Sequence, residues 1–115
     1  MSITIYHNPR CTKSRQTLQL LEDKGHSPQV VEYLKQPPSV AELTAIIAQL
    51  AISPRQLLRQ QEEAFKTEGL ADQELTDRQI IEAMVRSPKL IERPIVIANG
   101  KAVIGRPPEA VLSIL

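Results

Sequence analysis

An α/β fold, ordered β-α-β, then a helical block, then β-β-α, is what three observations in this sequence predict. Alternating residues at the N-terminus run into a proline turn and then an unbroken helical stretch. Three helix-start signals follow one another between Pro37 and Pro88. Near the C-terminus an Asn-Gly pair separates two short apolar runs, the strongest short-range hairpin signal.

Each element follows from its residues. Ser2 to Tyr6 alternate, with Ile3 and Ile5 on one side, and Asn8-Pro9 ends this first strand. Thr12 to Lys24 contain no proline or glycine. Thr17, Leu18, Leu20 and Leu21 give them an apolar stripe, and Gly25 stops the helix as a C′ residue would. Cys11 therefore sits where a strand ends and a helix begins. Gln29 to Leu34, with Val30, Val31 and Tyr33, read as a second strand, parallel to the first across a right-handed crossover.

Ser39 with Glu42 forms a capping box ahead of Leu43, Ile46, Ile47 and Leu50. Ser53-Pro54 with Gln56 repeats the signal for a short helix through Leu57, Leu58 and Arg59. Thr76 to Gln79 start a third, carried by Ile80, Ile81, Met84 and Val85 and stopped at Ser87-Pro88. The helical insertion thus covers about residues 37–88. Ile95 to Ala98, Asn99-Gly100 and Lys101 to Ile104 make the hairpin, and Pro107-Pro108-Glu109 open a last short helix. No repeat or flexible linker interrupts the order, so one domain over residues 1–115 is expected, with the block as an insertion.

Composition narrows the class. The 14 Lys and Arg against 13 Asp and Glu, with 42% hydrophobic and 23% charged residues, exclude collagen, coiled coil and general disorder. A net charge of +1 gives no global field for nucleic acid or an anionic membrane, so any anion site must come from local clustering. No long apolar run and no basic-then-apolar leader are present, so a cytoplasmic location, no membrane and no nucleic-acid partner are expected. One cysteine cannot close an internal disulfide or build a thiolate metal cage; no metal is expected, and redox chemistry needs a thiol from outside the chain.

A lone cysteine is more often a small buried hydrophobe than a nucleophile. Here the surroundings His7-Asn8-Pro9-Arg10-Cys11-Thr12-Lys13-Ser14-Arg15 are polar and cationic, and a helix N-terminus favours a thiolate. Cys11 is therefore read as reactive, with Arg10, Lys13 and Arg15 adding positive potential and His7 adding more when protonated. A Cys-x5-Arg phosphatase loop needs Arg at 17, where Thr17 stands; a Cys-x-x-Cys dithiol needs a second cysteine at 14, where Ser14 stands. What remains is a monothiol on a thioredoxin-like topology, with Ser14 able to donate to the sulfur. Arg55, Arg78 and Arg86 read as solvated or ion-paired. Arg93, before Pro94, and Arg106, before Pro107, differ: they flank the two strands of the hairpin at one edge, the edge where this topology puts Cys11. Their planar forks match the oxygens of a tetrahedral oxyanion.

Ile5 to Arg15, with Leu57-Leu58-Arg59, Arg93-Pro94-Ile95-Val96 and Arg106-Pro107, closely resemble the glutaredoxin-dependent arsenate reductases over essentially the whole chain. That resemblance implies Cys11 as nucleophile, Arg59, Arg93 and Arg106 as oxyanion holders, and His7 and Ser14 (with Arg15) as groups that activate the cysteine. It implies a cis Arg93-Pro94 bond, arsenate as substrate, glutathione as co-substrate with no bound cofactor, and glutaredoxin as partner; a monomer is expected. Arg10 and Lys13 stand where well-characterised members carry small residues. Two other readings stay open: a redox-linked transcription regulator of the same fold that binds RNA polymerase, whose usual Cys-x-x-Cys switch Ser14 excludes, and a glutathione-linked thiol enzyme with another substrate.

Overall fold

The computed structural model describes residues 2–115, which form two compact units: residues up to Gln36 together with Arg93–Leu115, and Pro37–Glu92. In the first, strands β1 (Ile3–Tyr6), β2 (Gln29–Val31), β3 (Ile95–Ala98) and β4 (Lys101–Ile104) make one sheet in the order β2-β1-β3-β4. β1 pairs parallel with β2 and antiparallel with β3, and β3 pairs antiparallel with β4. Helix α1 (Thr12–Asp23) is the crossover between the parallel pair. Its buried face is Ser14, Thr17 and Leu21, and it ends as expected: Gly25 has φ 86°, its N–H bonds to the Glu22 carbonyl and that of His26 to Leu21. The core joins Ile3, Ile5, Leu21, Val96, Ala98, Val111 and Ile114, all but Ile3 and Ile114 essentially closed to solvent.

The hairpin forms in the predicted register, Ala98 opposite Lys101, with Asn99 at φ 55° and Gly100 at φ 72°, the two positive values a type I′ turn needs. The C-terminal segment differs from expectation in kind. Pro108–Ile114 is a 3₁₀ helix, because its buried residues Pro108, Val111 and Ile114 recur every third position and eclipse one another only at three residues per turn. β2 also stops early, at Val31, since the Glu32 carbonyl accepts the N–H groups of Lys35 and Gln36 and closes a turn.

Gly105 is where three pieces of this unit meet. Its N–H bonds to the Pro94 carbonyl at 2.9 Å. A Cβ there would lie 2.7 Å from Thr17 Oγ1 and 2.9 Å from Pro94 Cγ. Only a residue without a side chain lets α1, the loop before β3 and the loop after β4 close together. Gly105→Ala is expected to destabilise the chain by about 1–3 kcal/mol through overpacking, and to weaken anion binding because Arg106 is the next residue; a denaturation midpoint unchanged from wild type would contradict this packing.

The second unit is helical. Helix α2 (Val40–Leu50) starts on the Ser39/Glu42 capping box and α4 (Asp77–Arg86) on the Thr76/Gln79 box, both with the reciprocal bonds formed. A short α3 (Glu63–Thr67) lies between them. Leu43, Ile46 and Ile47 of α2 are buried, as are Ile80, Ile81, Ala83 and Met84 of α4. The segment after Ser53 is a single 3₁₀ turn, Pro54–Leu57, and not a helix reaching Arg59. Leu58 instead forms an antiparallel bridge with Ile91, flanked by Arg59 N–H to Leu90 O at 2.8 Å and Glu92 N–H to Leu57 O at 2.9 Å. Among the described residues no helix is long and apolar enough to cross a membrane.

Candidate active site

The loop between β1 and α1 presents Cys11 as the N-cap of α1, with extended backbone (φ −93°, ψ 123°) and a thiol that is 9% exposed. The loop is held from within. The Asn8 carbonyl accepts the Cys11 N–H at 3.0 Å, and Asn8 Oδ1 accepts the Arg10 N–H at 3.0 Å, an Asx turn. Arg15 donates to the Pro9 carbonyl at 2.9 Å and to Thr12 Oγ1 at 3.3 Å.

Burial pushes the Cys11 thiol up, but the groups opposing it prevail and leave its pKa below the ordinary thiol value. They are the backbone N–H groups of Ser14 and Lys13, at the open end of α1, and the guanidinium groups of Arg93 and Arg106. Arg106 Nη1 lies 3.9 Å from Cys11 Sγ and 3.4 Å from the Arg93 carbonyl, which it also faces. The hairpin explains why: Ile95 stands opposite Ile104 and Tyr6 opposite Ile95, so the residues just outside both hairpin strands emerge beside the end of β1. Both Arg93-Pro94 and Arg106-Pro107 are cis peptides; the resemblance implied the first, and nothing in the sequence signalled the second.

His7 and Ser14 act differently from expectation. His7 is 6% exposed and Ser14 fully buried. Burial lowers the His7 pKa, Arg15 adds to the lowering, and Glu32 opposes it, so the imidazole is neutral at neutral pH and adds no charge beside the thiol. Ser14 Oγ accepts the Asn8 N–H at 3.0 Å and lies 2.6 Å from His7 Nδ1. The hydroxyl thus bridges the Asn8 backbone and the imidazole. Ser14 therefore reaches Cys11 through its backbone N–H, while its hydroxyl locks His7 and the loop. Arg15 likewise holds the loop and does not figure among the charges that lower the Cys11 pKa.

A pH effect follows. A base whose folded pKa lies below its unfolded value contributes stability that is fully present above the unfolded pKa and is lost as pH falls through the folded one. Denaturation midpoints are expected to fall below about pH 6.5, and the His7→Gln variant should lack that part of the decline; parallel curves for the two proteins would contradict it.

Arg59 belongs to the helical unit, where its guanidinium pairs with Glu62 at 3.0 Å and reaches the Lys89 carbonyl at 3.3 Å. Arg78 and Arg86 are ion-paired with Glu82 and Glu68, and Arg55 clamps the Leu70 and Asp72 carbonyls at 2.7 and 2.9 Å, structural roles all three. Sequence reasoning overlooked Asn8 and Gly105. An Asn before Pro signalled a turn but not the hydrogen bonds it supplies, and a glycine just past the second hairpin strand gave no hint of what crowds it.

A lone, buried thiol with a lowered pKa at the N-terminus of α1, beside a cis-proline loop and two guanidinium groups, defines a monothiol protein of thioredoxin-like fold. Comparison with known proteins specifies it further. The chain belongs to the ArsC family, whose model matches residues 6–114. It is 54% identical to the uncharacterized protein YfgD of Escherichia coli (strain K12), over 98% of this chain and 96% of that one. It is 48% identical to the arsenate reductase of Haemophilus influenzae over the whole of both. The structure of an arsenate reductase from Vibrio cholerae superposes with a TM-score of 0.98 at 52% identity, covering 100% of this chain and 98% of that one.

Proposed function

We propose that this ArsC-family oxidoreductase reduces arsenate to arsenite through a thiolate at Cys11, with glutathione as the electron donor and glutaredoxin restoring the thiol. The observation that carries the reading is the approach of Arg106 Nη1 to 3.9 Å from the sulfur of the chain's single cysteine. A tetrahedral oxyanion held by Arg93 and Arg106 would bring its central atom to that sulfur. The Cys11 thiolate attacks the arsenic of dihydrogen arsenate; an S–As bond forms, an As–O bond breaks, and that oxygen leaves as water with both protons. The glutathione thiolate then attacks the Cys11 sulfur. The S–As bond breaks with its electron pair left on arsenic, which is released as arsenite after taking up protons from glutathione and solvent. The two sulfurs are joined in a mixed disulfide. Glutaredoxin's thiolate attacks the glutathione sulfur of that disulfide and frees Cys11, a step no residue of this chain can take. Arg59 is assigned as a further oxyanion holder on the family resemblance alone. The relatives named arsenate reductase favour this reading over the transcription regulator.

The test is arsenite formation with glutathione, with and without glutaredoxin. Without it, turnover should collapse after roughly one cycle per chain and Cys11 should carry one glutathione by mass. Sustained arsenite production with no glutathionyl adduct would overturn the route.

A further inference from the structure

Thr17 stands in the buried face of α1 and is fully closed to solvent. A threonine there ordinarily returns its proton to the carbonyl one turn back, and Thr17 Oγ1 lies 2.8 Å from the Lys13 carbonyl oxygen. A second carbonyl oxygen, that of Gly105, reaches the same hydroxyl at 3.4 Å from the loop after β4. Each carbonyl belongs to a peptide unit whose other end serves the thiol. The Lys13 carbonyl shares its plane with the Ser14 N–H, one of the two backbone N–H groups turned to the Cys11 sulfur. The Gly105 carbonyl shares its plane with the Arg106 N–H, which bonds to the Ile104 carbonyl at 2.9 Å, and Arg106 Nη1 stands 3.9 Å from that sulfur.

We infer that Thr17 is a positioning residue of the thiol site: its hydroxyl ties the start of α1 to the loop that carries Arg106, and so holds the Ser14 N–H and the Arg106 guanidinium against Cys11. The inference rests on Cys11 being the nucleophile of the proposed function. Two physical effects act through this clamp. A hydrogen bond accepted by a peptide oxygen polarises that peptide and makes its N–H a stronger donor, here toward the sulfur. Close packing on Gly105 fixes where the chain leaves β4. A Cβ on Gly105 would lie 2.7 Å from Thr17 Oγ1 and 3.1 Å from Thr17 Cγ2, so the backbone before Arg106 rests directly on this one side chain. The charged groups that face the sulfur are Arg93 and Arg106, and of these only Arg106 follows the residue that Thr17 bonds.

The test follows alkylation of Cys11 by iodoacetamide against pH, with the denaturation midpoint measured alongside. Thr17→Val keeps the shape and removes the hydroxyl. It should lower the alkylation rate about 3- to 10-fold on the acid side of the profile, the effect of losing one buried hydrogen bond. Thr17→Ser keeps the hydroxyl and gives up a buried methyl, so its midpoint should fall while its profile stays at the wild-type position. A role in packing alone would give the reverse pattern. Turnover of arsenate should follow the profile, reduced in Thr17→Val and restored in Thr17→Ser. Should a valine methyl against two carbonyl oxygens unfold the chain, Thr17→Ala set against Thr17→Ser isolates the hydroxyl in the same way. In an Arg106→Ala background Thr17→Val should slow alkylation by a smaller factor, because one of the two groups it holds is already gone. A profile that does not respond to loss of the hydroxyl, or an equal factor in both backgrounds, overturns the assignment. Alkylation needs neither arsenate nor glutathione, so a wild type that forms no arsenite would refute the proposed function without touching this result.

Discussion

Cys11→Ser is expected to abolish arsenate reduction, lowering turnover by about 10⁴-fold or more, as removal of a nucleophile does elsewhere. The size of the loss follows from three features. A serine hydroxyl is not ionised by the N–H groups and guanidinium charges that lower the Cys11 pKa, because its own pKa lies far higher. An oxygen ester of arsenate also cannot pass electrons: the route needs a sulfur that the glutathione thiolate can attack while the S–As electron pair goes to arsenic. And the chain holds no second cysteine to substitute. Folding should be little changed, since the swap replaces one small side chain at an N-cap position where serine is itself favoured. Arsenate should still bind to the variant, measurable by protection from thermal unfolding. Retained arsenite production by Cys11→Ser would sink the covalent mechanism outright.

How far the sequence revealed this arrangement depended on the range of the forces involved. Signals carried within a few residues were legible to the residue. The capping boxes at Ser39 and Thr76 and the Asn99-Gly100 turn form as read, because each is satisfied by backbone and side chains three or fewer positions away. The hairpin also made the meeting of Arg93 and Arg106 legible, since its register alone puts the two at one edge. What depended on tertiary contacts was not legible. The Ser14 hydroxyl looked available to the sulfur until the buried His7 ring claimed it, and His7 looked like a source of charge until burial made it neutral. The segment at Leu57 to Arg59 looked helical by its cap, yet the strand-like bridge from Leu58 to Ile91, some thirty residues on, overrides that local preference. Gly105 illustrates the same limit: its lack of a side chain matters only because Thr17 and Pro94 arrive from elsewhere.

Arg106→Ala is expected to lower kcat/KM for arsenate by about 10²- to 10³-fold, the usual cost of removing one preorganised charge donor at a developing oxyanion. Two effects contribute and have opposite demands on the replacement. The guanidinium beside the sulfur helps hold the Cys11 pKa down, so its loss raises that pKa, reduces the thiolate fraction at neutral pH and moves the alkylation profile with iodoacetamide toward higher pH. In the proposed mechanism the same group presents a planar fork to the oxyanion; its contact with the Arg93 carbonyl at 3.4 Å braces it. Arg106→Lys separates the two. A lysine keeps the positive charge and should leave the alkylation profile close to wild type, but it cannot make the paired donation, so the KM for arsenate should still rise. A lysine variant with wild-type KM would show that Arg106 acts as a point charge only. An alanine variant with an unshifted alkylation profile would show that the end of α1, with the N–H groups of Ser14 and Lys13, holds the thiolate without it.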